Sequence, residues 1–227
     1  MEASPALMSP KIRMHSYTSA AHDVNFNTND PLGWDWVSDP LLATSGEAAS
    51  FHVPLIVDPK VPGTWFDGLH HVWRTQDNGG AQSDLDQHCN EFFGDFSVPC
   101  CDWVPLGADL TSAAYGLDKG GSYVVAITRA PNGTSTIWVA TRRGRLFVSG
   151  NADAPAANVI FTRLDTSKQP IRFISGIAVD PANANRAFVS FSGYNAYTPT
   201  TPGHVFRGEP GPERPDRNLE GPELQHR

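Results

Sequence analysis

Three copies of one order of short segments restrict the fold of this chain more than any other feature of its sequence. Each copy begins with an apolar segment that ends in a proline turn, and two further strand-like segments follow. The first segments are Pro54–Pro59, Val125–Pro131 and Gly176–Pro181; the second are Thr64–Gly68, Thr136–Thr141 and Arg186–Phe191; the third are His71–Thr75, Arg145–Ser149 and His204–Phe206. Short segments rich in aromatic and β-branched residues and bounded by Gly, Pro, Asn and Asp predict antiparallel meanders.

A fourth segment completes the first two copies, at Asp102–Leu106 and Val159–Leu164, and none is found in the third copy. A four-stranded antiparallel meander is the blade of a β-propeller. The sequence therefore predicts an all-β fold, a β-propeller with about three recognisable four-stranded blades, partial or open, with disordered ends. Propellers typically close with four to eight blades, so the chain is expected to be a fragment of a longer protein.

The chain is predicted to have three parts. Residues 51–206 hold the blades, and the unequal spacing of the proline turns indicates an inserted loop at 81–101. Residues 1–50 are predicted to be a partial blade or an irregular N-terminal segment. Residues 207–227 are predicted to be a disordered polar tail, because high charge with little hydrophobicity cannot offset the entropy lost on ordering. A truncated or frame-shifted reading frame and a natural polar tail both explain such a segment.

The three cysteines are clustered at Cys89, Cys100 and Cys101. A disulfide from Cys89 to one of the adjacent pair, with Cys100 as the first candidate, would close a loop of about ten residues and suit an extracellular protein. Three free thiols in a cytosolic loop are the alternative. No metal and no cofactor is expected, because a CxxC pair is absent and His70 and His71, adjacent on a strand, would point to opposite faces.

The charge of the chain limits its partners. Its formal net charge is −7 at pH 7, whereas a nucleic-acid-binding protein needs a basic surface, so nucleic acid is not an expected partner. No segment approaches the roughly 18 consecutive apolar residues of a membrane span, and the first residues lack the apolar core of a secretory signal. No membrane span and no signal peptide are therefore predicted.

A short motif follows the third segment of the first copy. Thr75, Asp77 and Gly79 are spaced as Thr-x-Asp-x-Gly, and Trp103 would supply an aromatic residue displaced by the insertion. This motif resembles the Asp-box, in which the Asp side chain accepts backbone N–H groups, Gly provides a positive φ and the aromatic ring packs beneath the turn. The second copy has a degenerate version at Ser149 and Asn151.

With this motif, residues 53–206 resemble the sialidase-like and sortilin-like β-propellers of the bacterial-neuraminidase-repeat (Asp-box) family. The resemblance implies an extracellular or periplasmic protein, but this fold carries many activities. It allows a non-catalytic propeller that binds protein or carbohydrate, and alternatively a fragment of a sialidase-like or other glycoside hydrolase.

A sialidase-like site would need an arginine cluster, a tyrosine activated by a glutamate and an aspartic acid. Glu91 is the sole glutamate between Glu47 and the tail, and the arginines show no spacing that identifies a triad. The non-catalytic function is therefore favoured, and no catalytic residue is assigned. Asp67 and Asp95 remain as candidate carboxylates of a glycosidase.

The most unusual loop in the chain contains Tyr194, Asn195 and Tyr197. Loops carry function at propeller faces, and tyrosine rings bind sugar rings and peptides. The loop is a candidate binding platform; a packed connection between two strands is the alternative.

Overall fold

The computed structural model describes residues 11–132, 135–210 and 219–220. The chain divides into two compact units, Met1–Leu106 and Gly107–Arg227. In the described ranges the regular structure is mainly antiparallel β-sheet, with one short α-helix, α1 (Gln82–His88). Single helical turns lie at Pro40–Thr44, Ala113–Tyr115, Ala156–Asn158 and Asn195–Tyr197.

The described residues of the first unit form two sheets. One has three strands in the order β1-β2-β3: β1 (Arg13–Ser16), β2 (His22–Asn25) and β3 (Trp34–Trp36). The other has four strands in the order β4-β5-β6-β7: β4 (Ile56–Val57), β5 (Trp65–Gly68), β6 (Val72–Thr75) and β7 (Val104–Leu106). The described part of the N-terminal segment therefore folds as a three-stranded meander.

Two further sheets, each of four strands, are formed by the part of the second unit that the structure describes. The first comprises β8 (Val124–Arg129), β9 (Ile137–Thr141), β10 (Leu146–Ser149) and β11 (Thr162–Arg163). The second comprises β12 (Ile174–Asp180), β13 (Asn183–Phe191), β14 (Val205–Gly208) and β15 (Leu219–Glu220). Every strand in these sheets pairs antiparallel with its neighbours in sequence, which confirms the predicted all-β fold of four-stranded propeller blades.

The third predicted blade has a fourth strand that its sequence does not predict. This strand, β15, pairs with β14 through Arg207↔Glu220 and Gly208↔Leu219. Two residues within a charged segment are too few to show the alternation that predicts a strand. Of the predicted tail at 207–227, the segments 211–218 and 221–227 lie outside the described residues.

Each unit has its own apolar core. In the first, Met14, Val24 and Val37 pack with Trp65 and Trp73 of the second sheet. A fully buried pair, His22 Nε2 and Asp67 Oδ2 at 2.9 Å, joins β2 to β5.

In the second unit, residues of β9 and β10 share a core with residues of β13 and β14. The indole of Trp138 on β9 also donates a hydrogen bond of 2.8 Å to the carbonyl of Ala184 on β13. Both sheets of this unit therefore contribute to one core.

Candidate functional site

The inserted segment of the first predicted blade lies along β3 of the N-terminal sheet. Trp36 donates its backbone N–H to the Cys89 carbonyl at 2.7 Å, and Glu91 donates to the Trp34 carbonyl at 2.9 Å. Asp35 and Asn90 form the antiparallel bridge between these bonds. The segment 89–91 thus takes the place of a fourth strand beside a three-stranded sheet.

Asn90 fixes this segment through its side chain. Its Nδ2 donates to the Leu32 carbonyl at 3.0 Å and to Asp35 Oδ1 at 3.2 Å. Its Oδ1 accepts the backbone N–H groups of Phe92 and Phe93, both at 3.0 Å. The backbone that carries the two phenylalanines is therefore anchored by a side chain that is 6% exposed.

A disulfide between Cys89 and Cys100 closes the inserted segment. The backbone N–H of Cys100 also donates to Asp39 Oδ2 at 2.7 Å, and Asp39 Oδ1 accepts the Trp36 indole N–H at 2.8 Å. Cys101 carries a free thiol whose pKa is raised by burial. The sequence left the choice between Cys100 and Cys101 open, and the structure joins Cys100.

Exposed aromatic rings follow Asn90. Phe92, Phe93 and Phe96 expose 53%, 73% and 52% of their surface. Phe96 has a φ of +49°, a left-handed conformation in which a non-glycine residue is strained by about 1 kcal/mol. A glycine or asparagine would fit this backbone better, so the large ring is the feature that needs an explanation.

A shallow cleft of about 370 Å³ lies beside these rings and is lined by Trp36, Asp39, Glu91 and Phe96. It combines two aromatic residues with two carboxylates. Aromatic residues contribute large contact areas and carboxylates fix orientation through polar contacts, which is the composition of many ligand sites.

Further titratable groups act on Glu91. Burial raises the pKa of Glu91, and the negative charge of Asp23 raises it further. Asp23 is buried, its pKa is also raised by burial, and it contacts Tyr17 Oη at 3.0 Å and His15 Nδ1 at 3.2 Å. Burial, followed by the charge of Asp23, raises the pKa of Tyr17 to about 12. Several acidic groups are therefore neighbours in this part of the first unit, and each disfavours ionisation of the others.

Asp35 adds a second buried carboxyl beneath the inserted segment. Burial raises its pKa to about 7, the hydrogen bond from Asn90 opposes this shift, and the charges of Asp86 and Asp30 increase it. The Asp86 side chain belongs to α1, so like charges face each other between β3 and α1.

The motif residues that resemble an Asp-box lie in the turn after β6. Thr75 Oγ1 lies 3.2 Å from Asp77 Oδ1 and 2.6 Å from Asp102 Oδ1, and it accepts the Gly79 N–H at 2.9 Å. The second copy repeats the pattern, because Ser149 Oγ donates to Asn151 Oδ1 at 3.0 Å. These contacts close turns, and Thr75 and Gly79 are buried.

Trp103 is buried in the core of the first unit, and its indole donates to the Val37 carbonyl at 2.8 Å. The residue before it, Asp102, donates its backbone N–H to the Gly79 carbonyl at 3.2 Å. The ring is therefore carried by a segment bonded to the same turn, although 23 positions separate Gly79 from Asp102 in the sequence.

The tyrosine loop lies in the second unit. Tyr194 and Tyr197 are 77% and 80% exposed, and residues Asn195–Tyr197 form a single 3₁₀ turn. The rings are accessible, as a binding platform requires. The cleft described above is formed by other residues, in the first unit.

The arginines considered for a substrate carboxylate have local partners. Arg145 donates to the carbonyls of Leu110, Ser112, Gly116 and Asp118. Arg163 pairs with Asp118 and Asp165. Arg129 pairs with Asp153, and Arg172 donates to backbone carbonyls that include that of Gly203. These contacts hold loops of the second unit.

The carboxylates and histidines proposed from the sequence also have local roles. Asp67 is fully buried against His22, whereas Asp95 is exposed and contacts His88 Nδ1 at 2.9 Å. His70 and His71 lie in the turn between β5 and β6 rather than on a strand, so the expectation that they point to opposite faces of a strand was wrong. In the described part of the chain, no three His, Cys, Asp or Glu residues group as metal ligands.

Glu47 holds that turn in place. It accepts the backbone N–H groups of His70 and His71 at 2.7 and 3.0 Å and contacts His71 Nδ1 at 2.6 Å. Burial opposes ionisation of Glu47, but hydrogen bonds from His71 and Trp73 lower its pKa to about 2.

Sequence reasoning missed Trp36, Asp39 and Phe96 as site residues. Trp36 and Phe96 are 60 positions apart, and only the pairing of 89–91 with β3 brings them together. The available signal was the presence of three phenylalanines within five positions, Phe92, Phe93 and Phe96, in a segment rich in Asp, Asn and Gly.

Among the helices within the described ranges, none is long and apolar enough to span a bilayer. No protein-family model matches the chain, and no curated protein matches it. Among solved structures, the chain is similar to YCF48 from Cyanidioschyzon merolae, with 15% sequence identity and a TM-score of 0.49. The alignment covers 95% of this chain and 56% of that one, so this chain spans little more than half of its length. The assignment of propeller blades therefore rests on the strand order and register of the sheets themselves.

Proposed function

We propose that this chain is part of a non-catalytic β-propeller that binds a protein or carbohydrate ligand through the cleft at Trp36, Asp39, Glu91 and Phe96. The observation that carries the proposal is the set of exposed phenylalanines on an inserted segment held by a disulfide and by Asn90. Rigid anchoring lowers the entropy lost on binding, and clustered exposed aromatic rings are typical of interaction sites.

The proposal places the protein outside the cytosol, in an extracellular or periplasmic compartment. The Cys89–Cys100 disulfide supports this location, because disulfides persist mainly in oxidising compartments. The contacts of Thr75, Asp77 and Gly79, repeated at Ser149 and Asn151, support a relationship with Asp-box propellers.

The test compares the wild-type chain with Phe96→Ala and Leu117→Ala on a glycan array and a peptide array. Leu117 is a matched control, because it is an apolar residue with 91% exposure in the other unit. We expect Phe96→Ala to weaken binding about tenfold and Leu117→Ala to leave it unchanged. Equal binding by all three proteins, or no binding to either array, would contradict the proposal.

A glycoside hydrolase is the second candidate, and one contact favours it. Tyr17 Oη lies 3.0 Å from Asp23, and Glu91 also acts on Tyr17 through its charge, so a tyrosine and two carboxylates are neighbours. The raised pKa of Tyr17 opposes a role as nucleophile. We expect no hydrolysis of fluorogenic sialosides or β-glucans. Turnover by the wild-type protein that is lost in Tyr17→Phe would replace the binding function with a hydrolytic one.

A further inference from the structure

We infer that the cleft accepts a cationic side chain, lysine or arginine, of a partner protein. This inference rests on the proposed binding function and names its ligand. It follows from the charges of the carboxylates, from the aromatic lining of the cleft and from the exposed rings around it.

The cleft is lined by two carboxyl groups that have no lysine or arginine partner within the described part of the chain. Asp39 accepts hydrogen bonds from the Trp36 indole and the Cys100 N–H, which are both uncharged donors. Burial and then the charge of Asp23 raise the pKa of Glu91, and His15, which is charged only when protonated, opposes this shift. No ion pair with lysine or arginine is formed by Asp39 or Glu91 among the described residues.

The aromatic lining suits the same ligand. Trp36 and Phe96 line the cleft together with these carboxylates. A lysine or arginine cation within about 6 Å of a tryptophan or phenylalanine ring is attracted by the ring, and adjacent carboxylates add a direct charge interaction. The aliphatic part of either side chain would also cover apolar surface.

Other ligand classes fit less well. A sialic acid carries a carboxylate that Asp39 and Glu91 would repel. A neutral sugar could stack on Trp36 but would leave the charge of the cleft unbalanced. A free small amine would make no use of Phe92, Phe93 and Val98, which expose 53%, 73% and 44% of their surface on the same inserted segment. A basic residue flanked by apolar residues in a peptide chain would contact both the cleft and these side chains.

The experiment uses the full chain and four fluorescein-labelled peptides that differ only at a central position between two leucines. The central residue is lysine, arginine, norleucine or glutamate. Binding is measured by fluorescence polarisation at pH 7, at low and at high ionic strength. We expect the lysine and arginine peptides to bind about tenfold more tightly than the norleucine peptide, the glutamate peptide to bind most weakly, and high salt to reduce these differences.

Two variants, each lacking one carboxylate, test whether the preference for a cationic peptide arises in the cleft. Glu91→Gln removes a carboxylate that lines the cleft, and Asp84→Asn removes an exposed carboxylate from α1 on the same inserted segment. We expect Glu91→Gln to weaken binding of the lysine peptide about fivefold with little effect on the norleucine peptide. Asp84→Asn should change the affinity for each of the two peptides less than about twofold.

The outcomes separate this inference from the proposed function. Equal binding of the lysine and norleucine peptides, with loss in Phe96→Ala, would leave the binding function standing and overturn the cationic ligand. Glycan binding lost in Phe96→Ala would do the same. If no peptide and no glycan binds, both are overturned. Because the peptide series changes only the ligand, the result does not depend on the folding of any protein variant.

Discussion

The turn after β6 depends on Gly79 for two separate reasons. Its φ is +101°, a conformation that L-residues with side chains rarely adopt, and an added Cβ would lie 2.8 Å from Val37 Cγ1. Val37 is a fully buried core residue, so it has little room to move. The glycine of the Asp-box-like motif is thus required both by the turn and by the packing beneath it.

We expect Gly79→Ala to lower the free energy of unfolding by about 2–3 kcal/mol. Gly46→Ala is the matched control, because Gly46 has a φ of +63° but no atom within 4 Å of an added Cβ. It should cost only about 1 kcal/mol. Urea denaturation followed by tryptophan fluorescence measures both. Equal losses would show that the contact with Val37 contributes nothing.

The inserted segment depends on its disulfide for the placement of the phenylalanines. The bond joins residues that are 11 positions apart and restricts the unfolded chain, which gives an expected stabilisation of about 3 kcal/mol. The adjacent Cys101 has no such bond. Cys100 is therefore expected to contribute much more than Cys101 to the stability of the segment.

Serine variants of Cys100 and Cys101 test this difference in their contributions to stability. Cys100→Ser is expected to lower the stability of the first unit by about 3 kcal/mol and to remove ligand binding, whereas Cys101→Ser should cost less than half as much. Thermal unfolding and the peptide-binding assay measure the two effects. A Cys100→Ser protein with unchanged affinity would show that Asn90 and the backbone bonds to β3 are enough to hold the segment.

The protein contains carboxyl groups whose pKa values are shifted in opposite directions. Burial, with nearby carboxylates, raises the pKa of Asp35 to about 7 and that of Asp102 to about 6. Hydrogen bonds lower the pKa of Glu47 and of Asp118 to about 2 against the effect of burial. Asp35 and Asp102, whose pKa is raised, bind more protons in the folded than in the unfolded protein, so their contribution to stability falls as the pH rises from about 4 to 7. Glu47 and Asp118, whose pKa is lowered, lose their stabilising contribution as the pH falls from about 4.5 to 2.

We therefore expect the melting temperature to be highest near pH 4, where these two pH ranges meet, and to fall on both sides. Asp35→Asn should raise the melting temperature at pH 8 and flatten the profile between pH 5 and 8, because its amide cannot ionise next to Asp86 and Asp30. Differential scanning calorimetry from about pH 3 to 8 is the measurement. A melting temperature that rises steadily from pH 5 to 8 would be inconsistent with a buried Asp35 whose pKa is raised.

The blades could be predicted from the sequence because their strands alternate and their turns contain proline and glycine. Thus β8, β9 and β10 lie within a residue or two of their predicted places. The short β15 could not be predicted, since two residues show no period. The cleft could not be predicted either, because it requires the pairing of the inserted segment with β3, a contact between residues about 55 positions apart. Tyr17 was overlooked as a neighbour of Glu91 for the same reason.

The pairing of residues 89–91 with β3 has a consequence for any attempt to shorten this protein. A surface loop can usually be trimmed with little harm, but this one covers the free edge of a sheet. Removal of this loop would leave the N–H and C=O groups of β3 free to pair with strands of other molecules. The expected product of deleting residues 81–101 is therefore self-association into aggregates, rather than a smaller protein that merely lacks a binding site.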